Sequence, residues 1–209
     1  NYVDLRDQSQ TLVALAAFTR SGAVLNGTEE SRQLHGVAIT SDIFTVLGVA
    51  PARGRVYTRE DDNVDTRVVV LTDYAWKTYF NSDPNIVGKQ VNLSWRSYTV
   101  LGVMPPGFLF PVEGERAEYL QPLHPLVSEA VNNRDWRFIR MVGLTKPGVT
   151  IGQCDAEMKT IAVRLEKRYP QSNTGRSNLA YSLHSDIVGD VRTALITILA
   201  AVAFVLLIA

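Results

Sequence analysis

The hydrophobic pattern of the chain predicts a mixture of helices and strands. Residues 4–20 place leucine and alanine on one helical face and aspartate and glutamine mostly on the other, which predicts an amphipathic helix packed on a sheet. The continuous β-branched run at residues 67–71 predicts a buried strand. Other predicted elements are a hairpin of residues 23–25 with 34–40, short helices at 41–46 and after Thr72-Asp73, a hairpin within 91–104, and strands at 119–123, 140–144 and 177–183.

The clearest helix signal begins at Thr150. Thr150 and Gln153 form a capping-box pattern, in which a hydroxyl and an amide satisfy free backbone groups of the first turn. Apolar residues then recur at helical spacing from Ile151 to Tyr169, and Pro170 prevents continuation. Together with a polar connector at residues 59–62, which marks a candidate domain boundary, the order of elements predicts a mixed α+β fold.

The end of the chain predicts a membrane helix. Residues 193–209 carry no charge, and as a helix rising about 1.5 Å per residue they span roughly 25 Å, a little less than the hydrocarbon core of a bilayer. We therefore expect a transmembrane helix that the sequence shows only in part, preceded by a water-soluble domain of about 190 residues. A buried helix of a soluble domain is the alternative.

Composition narrows the classes of partner and cofactor. The 21 lysine and arginine residues balance 21 aspartate and glutamate residues, so no basic field is available to attract nucleic acid. Cys154 is the single cysteine, which excludes an internal disulfide and a cysteine-rich zinc site. Two sequons, at Asn26 and Asn92, match the glycosylation pattern, which occurs easily by chance.

No candidate catalytic or metal site satisfies its chemistry. The run from Asp61 begins like a calcium loop, but Thr66 replaces the required glycine and Thr72 the bidentate glutamate. No P-loop or dinucleotide fingerprint occurs, and we expect no catalytic, cofactor or metal residues. The other candidate residues have structural interpretations. Asn63 and Asp65 belong to the same solvated loop, Glu113, Glu115 and Glu118 to a charged surface loop, and Cys154 to the core. His35, His124 and His184 are isolated, Ser182, His184, Ser185 and Asp186 cannot line up as a triad, and Trp76, Trp95 and Trp136 are expected in the core or an interface.

A set of short segments carries a family resemblance over essentially the whole chain. The most specific is YTVLGVMPPGF at residues 98–108, followed by Phe110-Pro111. In this order and spacing the sequence resembles the extracytoplasmic core domain of MacB/FtsX-type ABC transporter permeases, especially the duplicated orphan permeases of acidobacteria. The other matching segments are YVDLR at 2–6, SDIFTVLGV at 41–49 with Pro51 and Gly54-Arg55, VVLTD at 69–73, NIVGK at 85–89 and FVLLIA at 204–209.

The resemblance implies a two-lobed periplasmic core without catalytic residues. A porter-like α/β lobe would comprise residues 1–58 and 140–190, a smaller inserted α/β lobe residues 59–139, and a transmembrane helix would begin at residues 191–209. It also implies a first membrane helix before Asn1, location in the bacterial inner membrane with the domain facing the periplasm, and no cofactor. Implied partners are a cytoplasmic ABC ATPase subunit, a second permease copy or pseudo-dimeric half, and a periplasmic adaptor. A departure from the family pattern is SWRS at residues 94–97, where a tighter Asn-Gly-type turn is expected.

Two functions remain open at this stage. The resemblance implies that the domain couples cytoplasmic ATP hydrolysis to substrate export or to periplasmic mechanotransmission, with the short junction at residues 186–192 transmitting the motion. The alternative is a membrane-anchored ligand-binding or adaptor module that acts without an ATPase, which predicts a pocket between the lobes. A membrane-anchored hydrolase is disfavoured because no nucleophile–base pair is visible.

Overall fold

The computed structural model describes residues 1–27, 31–62, 66–112, 115–124, 139–177 and 179–183. The predicted membrane helix, the junction at 186–192, and His184, Asn63, Asp65, Glu113 and Trp136 lie outside these residues. The fold is a mixed α+β arrangement rich in sheet, as the sequence predicts. Its elements are α1 Tyr2–Gln8, β1 Leu12–Asn26, β2 Arg32–Ile39, α2 Asp42–Leu47, β3 Arg53–Gly54, β4 Val68–Leu71, α3 Asp73–Tyr79, β5 Gln90–Leu93, β6 Arg96–Val103, β7 Pro111–Val112, β8 Glu115–Arg116, β9 Tyr119–Pro122, β10 Arg140–Thr145, α4 Ile151–Arg168 and α5 Pro170–Asn173.

The prediction of one helix over residues 4–20 is wrong. A helix occupies only α1, and the chain then enters β1, a strand of 15 residues. The apolar spacing at Leu12, Leu15 and Ala16 fits a helix, but these residues lie in the run LVALAAF, which is equally compatible with a buried strand. Pairing with neighbouring strands stabilises the strand over the helix. Residues 23–25, predicted as the first strand of a hairpin, are the end of β1.

Strands β1 to β6, β9 and β10 form one sheet among the described residues. The order is β10-β1-β2-β9-β4-β6-β3, and β5 pairs with both β1 and β6. The pairings β1-β2-β9-β4-β6-β5-β1 therefore close a circuit of six strands. The hairpin predicted between residues 23–25 and 34–40 is confirmed, since Ala23 lies opposite Leu34. The strands predicted at 67–71, 119–123 and 140–144 are confirmed as β4, β9 and β10.

Two apolar clusters form the core around this sheet. One contains Leu34, Trp76, Val100 and Tyr119, and the other contains Ile39, Tyr57 and Leu120. Burial of this apolar surface supplies the main driving force for folding. Gly36 is required by the first cluster, because a Cβ atom at this position would lie 2.2 Å from the Tyr119 ring on the paired strand β9.

The compact units of the structure do not follow the predicted lobes. One unit contains residues 1–7 and 12–144, and the other contains residues 8–11 together with the described residues from 145 onward. The sheet joins β2, which precedes residue 58, to β9 and β4, which follow it. The lobe boundaries at 58 and 139 therefore stay predictions. Among the described residues, no helix is both long and apolar enough to cross a membrane.

The second unit is built on α4, whose predicted start is confirmed. Thr150 and Gln153 form the full capping box, and Cys154, Met158, Ile161 and Leu165 are buried along one face. The strand predicted at residues 177–183 is wrong, because the described residues of this segment form no strand. The backbone N–H of Ala180 instead donates to Asp155 Oδ1 of α4 at 3.0 Å, so a helix side chain takes the place of a neighbouring strand.

Substitution of Gly36 tests the packing of the sheet. Gly36→Ala should lower the free energy of unfolding by about 1–3 kcal/mol, because the added methyl group displaces the Tyr119 ring from a packed core. Gly22→Ala on β1 is the matched control, since its Cβ would meet only the end of the Gln33 side chain at 3.0 Å. Urea unfolding of both variants measures the difference. Equal effects would contradict this account of Gly36.

Candidate functional site

In the loop that resembles a calcium site, the Asp61 carboxylate binds other groups of the protein. Asp61 receives two hydrogen bonds from the Arg55 guanidinium, at 2.5 and 3.0 Å, and one from the Thr58 backbone N–H at 2.9 Å. The bond from Arg55 is the largest cause that lowers the pKa of Asp61 to about 2. Thr72, at the position of the bidentate calcium ligand, caps α3 by accepting from the Ala75 N–H. These side chains are engaged with the protein itself.

The histidines of the described residues, His35 and His124, belong to no metal cluster; His35 is exposed, and His124 is partly buried. The backbone N–H of His124 donates to Asp62 Oδ1 at 3.0 Å, and burial is the main cause that raises the pKa of Asp62. The Nδ1 atom of His124 is buried with no hydrogen-bond partner within the described part of the chain. Within those same ranges, no group of three or more His, Cys, Asp or Glu residues is arranged to hold a metal ion.

Glu118 is a buried carboxylate, and its assignment to a charged surface loop is wrong. Only 6% of Glu118 is exposed. Its carboxylate accepts hydrogen bonds from the His35 backbone N–H at 2.8 Å and from the Tyr79 hydroxyl at 2.5 Å, and its backbone carbonyl accepts from Thr72. One side chain thereby connects β2, α3 and the segment leading into β9. Sequence reasoning missed it because partners on distant segments, not its acidic neighbours, determine its burial.

Glu157 on α4 holds the short segment that leads into β1. Its carboxylate accepts from the backbone N–H groups of Gln10 at 2.7 Å and Thr11 at 3.0 Å, from Ser9 Oγ at 2.9 Å, and from the Thr11 hydroxyl. Burial opposes its ionisation, but the bonds from Thr11, Gln10 and Ser9 outweigh burial and lower the pKa of Glu157. The backbone N–H of Lys146 also donates to the Thr11 carbonyl at 2.9 Å. We call this arrangement the Glu157 clamp.

The hairpin of β5 and β6 presents Trp95 at its tip. Leu93 pairs with Arg96, so the turn is the two-residue connection of Ser94 and Trp95, as tight as the Asn-Gly turn that the family pattern predicts. Both residues have positive φ, 50° and 64°, a conformation that costs a non-glycine residue roughly 1–2 kcal/mol. Trp95 is 82% exposed, whereas Trp76 is buried in the core as predicted.

The hairpin tip is fixed to the end of β1 by hydrogen bonds. The backbone N–H of Ser94 donates to the Val24 carbonyl at 2.7 Å, and Ser94 Oγ accepts from the Val24 N–H at 3.1 Å. The Trp95 N–H donates to the side-chain carbonyl of Asn26 at 3.0 Å. Both sequon asparagines lie here, opposite each other on β1 and β5, so Asn26 has a structural role that does not depend on modification.

A small polar cavity lies on the sheet next to β2. It has a volume of about 20 Å³, which is room for a single water molecule, whereas ligand pockets usually enclose 300–1,000 Å³. It is lined by Arg20, Ser21, His35, Gly36, Val37, Arg116 and Ala117. This cavity cannot enclose a small-molecule ligand.

The family model described as "MacB-like periplasmic core domain" matches residues 1–161. The chain belongs to this family, the periplasmic core domains of ABC-type transporter permeases. Domains of this family are not themselves enzymes. Comparison with curated proteins gives no match.

Solved structures show the same fold. The periplasmic region of MacB from Actinobacillus actinomycetemcomitans matches with a TM-score of 0.58 and 20% identity, covering 82% of this chain and 75% of that one. The extracellular domain of the noncanonic ABC-type transporter YknZ from Gram-positive bacteria matches with a TM-score of 0.60 and 16% identity, covering 86% of each chain. A domain of a putative permease protein from Porphyromonas gingivalis matches with a TM-score of 0.58 and 14% identity, covering 90% of this chain and 83% of that one.

The Glu157 clamp predicts an acid-dependent stability. Because the folded pKa lies below the unfolded value of about 4.5, the clamp contributes its full stability above that value and loses it as the pH falls through the folded pKa. Glu157→Gln should cost about 1–3 kcal/mol at pH 7 and flatten the stability profile below pH 4.5. Glu166→Gln, which removes a carboxylate with one backbone bond to Gly175, should have a smaller effect. Chemical denaturation across pH 3–7 distinguishes the two, and identical profiles would contradict the clamp.

The pKa of Tyr79 predicts how the stability of the fold changes at alkaline pH. Burial first, and then its bond to Glu118, raise the pKa of Tyr79 above 10, so the unfolded chain ionises before the folded one. Stability that is complete below pH 10 should therefore fall as the pH rises above it. Tyr79→Phe should make this fall less steep, while Tyr181→Phe, whose ring is largely exposed, should leave it unchanged. Denaturation between pH 8 and 11 checks the prediction, and an unchanged slope in Tyr79→Phe would refute it.

Proposed function

We propose that this domain belongs to a permease subunit and couples ATP hydrolysis in the cytoplasm to substrate export or to periplasmic mechanotransmission. The ATPase is a separate cytoplasmic ABC subunit, and the permease lies in the bacterial inner membrane with this domain in the periplasm. It acts with a second permease copy or a pseudo-dimeric half, and with a periplasmic adaptor. In this proposal, residues 191–209 begin a membrane helix and a further helix precedes Asn1. The observation that supports the proposal is that the first residues, and the described residues after α5, are hydrogen-bonded to neighbouring folded elements.

The beginning of the chain is held from its second residue. The Tyr2 hydroxyl lies within hydrogen-bond distance of the Leu15 carbonyl at 3.0 Å, Asp42 Oδ2 at 3.2 Å and Thr40 Oγ1 at 3.4 Å. Leu5 of the same helix is 1% exposed. These contacts join α1 directly to β1 and α2, so a force applied at the first residues reaches the sheet without a slack linker.

The Glu157 clamp provides the corresponding attachment on α4. Four donors of residues 9–11 converge on one carboxylate, and bonds to a charged group are about twice as strong as neutral ones. After α5, the chain is again held to α4, since the Gly175 N–H donates to Glu166 and the Ala180 N–H to Asp155. The described residues that follow α5 are therefore tied to α4, which is compatible with the proposed transmission of motion.

The cavity beside β2 is too small to be the pocket of a small-molecule receptor. An anchored receptor for such ligands needs an enclosed space several hundred Å³ in volume, whereas the cavity beside His35 admits one water molecule. The polar side chains that surround it are also held by the protein, with the His35 backbone bonded to Glu118.

Insertion of a flexible linker tests the mechanical coupling. A Gly/Ser insertion within residues 186–192 of the full-length permease should uncouple ATP hydrolysis from transport, because slack absorbs the motion before it reaches the domain. The measurements are co-purification of an ABC ATPase with the permease from native membranes, and the ATPase turnover of that complex. An insertion of the same length in the loop between β1 and β2 is the control and should leave turnover unchanged.

Two outcomes would overturn the proposal. Unchanged coupling in the junction variant, with normal amounts of protein in the membrane, would show that motion is not transmitted there. A permease that repeatedly purifies without any ATPase would instead favour an anchored adaptor that works alone.

A further inference from the structure

We propose that Trp95 is the anchor of a protein-docking site at the tip of the β5-β6 hairpin. The partner is a protein that offers an apolar pocket wide enough for one indole ring, with a carboxylate at its rim facing Arg96. The inference concerns a surface, and it does not depend on the coupling of the domain to an ATPase.

The residues at the tip of the hairpin are ones that do not favour its backbone conformation. Glycine and asparagine adopt positive φ most readily, yet the turn carries Ser94 and Trp95 at 50° and 64°. The indole gains no core packing in return, since 82% of Trp95 is exposed. A large apolar side chain held in a strained and exposed position is typical of a functional site.

The turn that carries Trp95 is held in place before any partner binds. Three bonds fix the turn: Ser94 N–H to the Val24 carbonyl, the Val24 N–H to Ser94 Oγ, and Trp95 N–H to Asn26 Oδ1. The end of β1 that supplies these partners is itself paired with β2 and β5. A turn fixed in this way holds the backbone from which the indole projects, so little backbone freedom is lost when the ring enters a pocket.

The surroundings of Trp95 favour a protein pocket over a lipid surface. The exposed residues that flank it on the hairpin, Gln90, Asn92, Arg96 and Ser97, are polar or charged. Surface binding to a bilayer depends on a broad apolar face, which a single indole does not provide. One tryptophan beside an arginine instead matches the composition of the central anchors in protein interfaces.

Arg96 specifies the charge of the partner. It is exposed and adjacent to Trp95, and no ion pair of its guanidinium occurs within the ranges that the structure describes. Arginine pairs with carboxylates through two parallel hydrogen bonds, which adds orientation as well as attraction. An acidic group at the rim of the pocket therefore complements the tip.

Photo-crosslinking in native membranes tests the docking site. The full-length protein carries the photoreactive amino acid p-benzoylphenylalanine at position 95, or at position 109 as control, where Leu109 is 62% exposed. We expect one discrete protein adduct from position 95 and none from position 109. Arg96→Glu should reduce that adduct at least about tenfold, whereas Arg67→Glu, at another exposed arginine, should not. Mass spectrometry should place the crosslink in an apolar pocket of the partner with an acidic residue at its rim.

A lipid adduct, no adduct, or equal protein adducts from positions 95 and 109 would each overturn the proposal. A second measurement separates docking from folding. Trp95→Gly should raise the Tm of the full-length protein by about 2–4 °C, because glycine adopts positive φ without strain. A fall in Tm would show that Trp95 is retained for stability, and would also overturn the proposal.

Discussion

Strand β1 must satisfy hydrogen-bonding groups on both of its edges along 15 residues, and the rest of the sheet is arranged around that requirement. β2 covers one edge, with Phe18 opposite Ile39 at one end of the pairing and Leu25 opposite Arg32 at the other. Leu25 also pairs with Leu93, so β5 lies on the opposite edge, and β10 covers the other part of β1. Because β5 continues through β6 and β4 to β9 and back to β2, the length of β1 closes the circuit.

Buried polar groups hold this circuit in register. Tyr57 is 1% exposed, and its hydroxyl lies 2.9 Å from the Ile39 carbonyl and 3.2 Å from the Gln121 carbonyl, at the ends of β2 and β9. Glu118 acts at the other end of β9, where it binds the His35 N–H and the Tyr79 hydroxyl. An apolar core alone tolerates sliding of one strand along another, whereas a buried carboxylate that loses its partners carries a large desolvation cost. These contacts therefore specify one alignment of β2 with β9.

The elements that the sequence predicts correctly are those determined by local chemistry. The capping box at Thr150 and the cap at Thr72 each depend on residues three positions apart, and both form as expected. The helical interpretation of residues 12–20 failed because an apolar run fits either period, and only pairing with β2 settles it. The strand expected at 177–183 failed because an alternating pattern does not specify a partner, and Ala180 bonds to Asp155 of α4 instead. Glu118 and Glu157 were not identified, since their donors lie at least 39 residues away, on other segments.

A domain that transmits motion is constrained differently from an enzyme. An enzyme must hold reactive groups in place, whereas a mechanical part needs stiffness between the points where force enters and leaves. Tyr2, Glu118 and Glu157 all bind the protein's own backbone at junctions between segments, which is the arrangement that the proposed mechanical role needs. Residues 9–11 all donate to the carboxylate of Glu157. To separate this segment from α4, several hydrogen bonds must therefore break together, whereas an isolated bond can break alone. In the proposed role, these bonds would keep the junctions between segments from separating under load.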